Sequence, residues 1–161
     1  MNVSELREFA ARVKQVTDNI NYGGCAVFAS MVFPYINISF PGAKIRVMGH
    51  NPEIDITAVR PSDPTDVYEW NRNGVHFGHV VVEFNVKGET LYFDSDGVHT
   101  RLALENEYPF AQFHSGELLH EDATALASTE DGWNTMFDRK FIEPMKKAMR
   151  GYICEQALRP I

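Results

Sequence analysis

Between Ala26 and Phe33 the chain reads "AVFASMVF", with a single polar residue, and this block follows directly on Gly23, Gly24 and Cys25 in "GGCAVFASMVFPYI". A helix that is apolar around nearly its whole circumference offers water no face, so it must be enclosed on almost every side. Only a sheet on one flank and other helices around it can do that. At 161 residues and 44% hydrophobic content the chain can build such a core as one domain spanning 1–161. Pro34 marks the expected end of this helix.

The flanking elements follow from periodicity. Leu6, Phe9, Ala10, Val13 and Val16 recur at helical spacing, with Asn2 or Ser4 available as cap. "AKIRVMG" and "DITAVR" read as short strands, and "PSDPTDVYEWNRNG" as a turn with a short helix. "HVVVEFNV" and "ETLYFDS" are rich in β-branched and aromatic residues and flank Lys87-Gly88, which predicts a tight hairpin. That turn sets His79 opposite Asp96, with Asp94 as the diagonal neighbour on the same face. "RLALENEY" reads as a further strand, and the segment from His114 to Gly132 as a polar or loosely helical loop bordering the cleft. Phe137, Phe141, Met145, Met149 and Tyr152 predict a C-terminal helix with a kink at Pro144. The expected class is α+β, with helices packed on one side of an antiparallel sheet.

Charge narrows the function. A net charge of −7 repels phosphate backbones and anionic lipid, which argues against nucleic-acid and membrane-surface partners. "MNVSELREFAARVKQ" lacks the basic start and apolar run of a signal peptide, and no apolar run approaches the roughly 20 residues of a membrane span. The two cysteines, Cys25 and Cys154, form no CxxC pair. The expectation is a cytoplasmic protein with both thiols free.

Cys25 is the residue with chemistry to offer. A helix N-terminus and a neighbouring imidazolium both favour thiolate over thiol. Gly23 and Gly24 leave the approach to the helix tip open. The Cys25 amide is one of the N–H groups that a helix start leaves without an internal partner, so it can donate to an oxyanion, and Asn19 or Asn21 can supply a second donor. A nucleophile needs a base, and the base needs an orienting group. His79 opens a strand, Asp94 ends the partner strand, and Asp96 lies in the "DSDG" turn; either carboxylate can orient the imidazole. His76 is a second candidate base, although Gly78 interrupts the strand between the two histidines.

"YGGCAVFA", "GHVVVEF" and "LYFDSDG" resemble the Cys, His and Asp blocks of the papain-like superfamily. The short separations are closer to transglutaminase-like and bacteriocin-leader-peptidase-like members than to papain itself. The resemblance covers about 19–97. It implies a papain-like fold with Cys25 as nucleophile, His79 as base and Asp94 as orienting acid. Asn19 stands where the oxyanion-hole glutamine of papain-like enzymes is expected. The implied activity is hydrolysis of a peptide or isopeptide bond through a thioester acyl-enzyme, on a protein or peptide substrate and without a cofactor. Transfer of the acyl group to an amine is a second outcome of the same chemistry. A papain-like binding module without turnover is the competing function.

Other residues carry less. His114, Glu117 and His120 match no zinc spacing and read as a solvated loop, so no metal site is expected. Cys154 reads as core of the C-terminal helix. Trp70 and Trp133 are core anchors or groove walls.

Overall fold

A computed structural model of the chain describes residues 1–17, 20, 24–49, 51, 53–109, 116–128 and 142–157. Among them are six helices: α1 (Val3–Val16), α2 (Cys25–Ser39), α3 (Val67–Arg72), α4 (Arg101–Glu107), α5 (His120–Ser128) and α6 (Ile142–Ala157). The five strands are β1 (Lys44–Met48), β2 (His79–Val86), β3 (Glu89–Asp94), β4 (Gly97–His99) and β5 (Gly116–Leu118). They form one antiparallel sheet in the order β4–β3–β2–β1–β5. The class is α+β. Among the described residues no helix is long and apolar enough to cross a membrane.

Local chemistry explains where the elements begin. Asn2 caps α1: its side chain accepts the Glu5 N–H while the Glu5 carboxylate takes the Asn2 N–H, a reciprocal capping box. Leu6, Phe9, Ala10 and Val13 turn inward, whereas Val16 is exposed. At the hairpin, Lys87 and Gly88 have φ of 52° and 86°. That pair of positive angles gives a two-residue loop the twist its strands need. The register is the one expected, with Val86 opposite Glu89 and Val82 opposite Phe93.

The sheet has two covered faces. Ile45, Val47, Val80, Val82, Phe84 and Phe93 join α1, α2, α5 and α6 in the main core. Phe9, Phe28, Phe93 and Tyr152 meet there with ring centroids 5.1–6.3 Å apart, tying α1, α2, β3 and α6 together. On the opposite face Met48, Val81 and Tyr92 pack with Leu104 of α4 and with Tyr108. Helices on one side only was therefore wrong, and the reason is α4. "RLALENEY" does not form a strand: Thr100 accepts the Ala103 N–H as N-cap, its residues are good helix formers, and only Leu104 of the Leu pair is buried.

Three further expectations are corrected. "DITAVR" is a turn, because the Asp55 carboxylate captures both the N–H and the hydroxyl of Thr57. Pro34 does not end α2, which runs on to Ser39. Pro34 has no N–H to return to the Ser30 carbonyl, and His120 Nε2–H at the start of α5 donates to that oxygen at 2.9 Å instead. Pro144 is the third residue of the described α6, and the residues just before it, on which the expected kink bears, lie outside the described residues. The segment expected as a loop holds β5 and α5; the part of it at 129–132, together with His114, Trp133, Phe137 and Phe141, lies outside the described residues. Trp70 is a core anchor, fully buried, with Nε1–H donating to the Pro64 carbonyl at 2.9 Å.

Truncating the aromatic cluster tests this core. Phe28→Ala is expected to cost about 3–5 kcal/mol in urea unfolding, while Leu102→Ala on the exposed side of α4 stays within about 0.5 kcal/mol.

Candidate active site

β2 begins at His79, and the strand arrives there under tight constraint: a Cβ added at Gly78 would meet the Met48 carbonyl oxygen at 3.1 Å. His79 pairs with Met48 of β1 and shares the sheet face of Val81 and Asp94. β3 ends at Asp94, where Ser95 and Asp96 turn the chain into β4 with Gly97 opposite Asp94. His79 Nε2–H donates to Asp94 Oδ2 at 2.9 Å. Both side chains are shut off from solvent, 0% and 1% exposed.

With Nε2 committed to Asp94, the nitrogen left for the cysteine is Nδ1. Cys25 is the first residue of α2, 8% exposed, with Gly24 as the N-cap. The Nδ1 atom makes no hydrogen bond of ordinary geometry, yet the Cys25 sulfur is close enough to act on the charge of the ring. A loose pair of this kind is common in unliganded sites and tightens when substrate binds.

The electrostatics centre on Asp94. Burial alone would push the His79 imidazole down, but the hydrogen bond to Asp94 and the adjacent Cys25 sulfur outweigh it and raise the ring to about 10. Burial would likewise push Asp94 up, and the hydrogen bonds from His79 and His99 reverse this, holding the carboxyl well below the ordinary range. His99 Nε2–H donates to Asp94 Oδ1 at 2.8 Å, and the Asp96 backbone N–H donates to the same oxygen at 2.9 Å. Tyr108 stacks on the His79 ring with centroids 4.2 Å apart and planes 18° from parallel.

Of the residues singled out from sequence, Cys25, His79 and Asp94 are brought together. Asn19 and Asn21 lie outside the described residues. Asp96 points elsewhere and takes the Lys14 ammonium at 2.7 Å, so it is not the acid on His79. His76 is exposed, and none of the described hydrogen bonds or ion pairs joins its side chain to Cys25, His79 or Asp94. Cys154, expected in the core, is exposed on α6. Glu117 lies on β5 4.0 Å from Lys44, and His120 is spent on the Ser30 carbonyl. Sequence reasoning missed His99 and Tyr108. The Asp-Gly step at 96–97 is a hairpin signal that would have brought β4 back beside Asp94, with His99 opposite it; the turn that forms is centred on Ser95-Asp96 instead, so Gly97 faces Asp94 and His99 faces Tyr92, diagonal to Asp94. Nothing in the sequence pointed to Tyr108.

Asp94, lowered on folding, stabilises the protein above the ordinary carboxyl value and loses that contribution as pH falls through its depressed value. His79, raised on folding, stabilises it fully below about pH 6.5 and loses that contribution as pH rises through about 10. Asp94→Asn is therefore expected to cost about 3–5 kcal/mol between about pH 4 and 6.5, with the gap to the unmutated protein closing on either side. Urea unfolding across a pH series measures it, and a gap that does not vary with pH would contradict the buried charge pair.

No family model, no curated protein and no solved structure matches this chain.

Proposed function

We propose that this chain is a cysteine hydrolase of papain-like type, cleaving a peptide or isopeptide bond in a protein or peptide substrate through a thioester acyl-enzyme. The observation that carries the reading is the single hydrogen bond between His79 Nε2 and Asp94 Oδ2. It ties up Nε2 and orients the ring, so that Nδ1 is the nitrogen left to exchange a proton with a cysteine at a helix tip.

The proton of Cys25 passes to His79 Nδ1, which leaves the ring charged in keeping with its raised value, and Sγ attacks the substrate carbonyl. The oxyanion that forms is met by the Cys25 N–H, the first donor of α2; Asn19 and Asn21, expected from the sequence as the second donor, lie outside the described residues. His79 then returns the proton to the leaving amine as the C–N bond breaks, which leaves a thioester on Cys25. A water molecule, deprotonated by His79, attacks the thioester and releases the acid. An amine in place of that water makes the same site an acyl transferase. Asp94 stays ionised throughout and stabilises the imidazolium. The sequence of steps calls for no cofactor.

Exposure and reactivity make opposite forecasts for the two thiols, which gives a direct test. Cys154 is exposed and Cys25 is buried, so access alone favours labelling of Cys154. An activated Cys25 should nevertheless react with iodoacetamide near pH 6 about tenfold faster or more, as mapped by mass spectrometry. Cys25→Ala should abolish peptide turnover, and His79→Ala should lower it by about 10²–10⁴-fold. Labelling confined to Cys154 would sink the hydrolase reading. A reactive Cys25 with no turnover of any peptide would favour the binding module.

A further inference from the structure

Asp94 has two carboxylate oxygens, and they are used differently. Among the described residues Oδ2 takes one donor, His79 Nε2–H. Oδ1 takes two, the Asp96 backbone N–H from the β3–β4 turn and the His99 imidazole from β4. Rotation of a carboxylate about its Cβ–Cγ bond is broad and roughly two-fold, so a side chain held through one oxygen only is free to swing. Two donors arriving from different elements remove that freedom.

We propose that His99 is a positioning residue of this site: its Nε2–H pins Asp94 Oδ1, so that Oδ2 meets His79 in one fixed orientation and keeps Nδ1 directed at Cys25. The inference rests on the reading of Cys25 as nucleophile and His79 as its base. It extends that triad by a second imidazole on the far side of the carboxylate. Tyr108 completes the hold by stacking on the His79 ring, which restrains tilt where Asp94 restrains rotation in the plane. Among the described residues the charged groups acting on His99 are acidic: Asp94 from β3, Asp96 from the turn and Glu107 from α4, with Asp96 itself answered by Lys14. This setting favours a ring that donates to Asp94 over one that accepts.

The test compares the unmutated protein with His99→Leu and His99→Gln. Two readouts are needed: the downfield proton resonance of His79 Nε2–H, and the rate of Cys25 alkylation by iodoacetamide near pH 6 with Cys154 as internal standard. In His99→Leu the resonance should be lost to solvent exchange and alkylation of Cys25 should slow about tenfold or more, while Cys154 is unchanged. In His99→Gln the side-chain amide can donate to Oδ1 again, and both should be largely restored. Because His99→Leu removes a donor from a buried carboxylate and can fail to fold, the unmutated protein supplies a second check. Long-range proton–nitrogen spectra at neutral pH must find both His79 and His99 protonated at Nε2. A bare Nε2 on His99 overturns the proposal. A reactive Cys25 indifferent to His99→Leu in a folded protein overturns the positioning role alone. An inert Cys25 in the unmutated protein overturns the hydrolase reading and, with it, any catalytic meaning for His99.

Discussion

A helix without a polar face has to be walled in, and in this protein that requirement organises everything else. Phe28, Ala29, Val32 and Ile36 of α2 are fully enclosed, between β1–β3 on one side and α1 and α5 on the others. Burial of each large apolar side chain of this kind contributes about 1.5–3 kcal/mol. Cys25 is the first residue of this enclosed helix, and Ala26 and Val27 behind it are buried as well. Reactive groups need placement of that quality, because small errors in position are costly to chemistry.

The other sheet face answers a different problem. His79 and Asp94 are polar groups taken wholly out of water, and several kcal/mol of desolvation per ion must be offset by pairing. They can sit there because α4 and Tyr108 close the face above them while His99 and the Asp96 amide supply the remaining donors. The protein thus separates its two tasks by sheet face. One face packs rings against rings, and the other assembles a hydrogen-bonded polar chain at the end of β2 and β3.

The legible parts of the sequence were those in which one local rule had no competitor. Lys87-Gly88 leaves a hairpin one register, and that register put His79 and Asp94 on one face. It could not choose between Asp94 and Asp96, because side chains alternate with a period of two and both carboxylates carry the same parity. The choice is made by contacts distant in sequence: β3 turns at Ser95 to meet β4, and Lys14 from α1 takes Asp96. "RLALENEY" misled because alternation of Leu and Ala imitates a strand, and Thr100 as a cap outweighed it. Asp55 likewise turned an apolar run into a turn through its own side chain. Tyr108 reaches His79 only through the path of α4, which no periodicity reveals.

The break that Pro34 makes in the hydrogen-bond ladder of α2 has a consequence of its own. The Ser30 carbonyl is served by a side chain from α5, and His120 also lies against the Phe33 ring at 4.9 Å. What would be a weak spot inside one helix is thereby converted into a joint between two. Lifting α5 away would leave a carbonyl in an apolar setting without its donor, so the two helices are mechanically coupled and should melt as one unit. Any force or partner acting on α5 is then felt along the same rod that carries Cys25 at its other end.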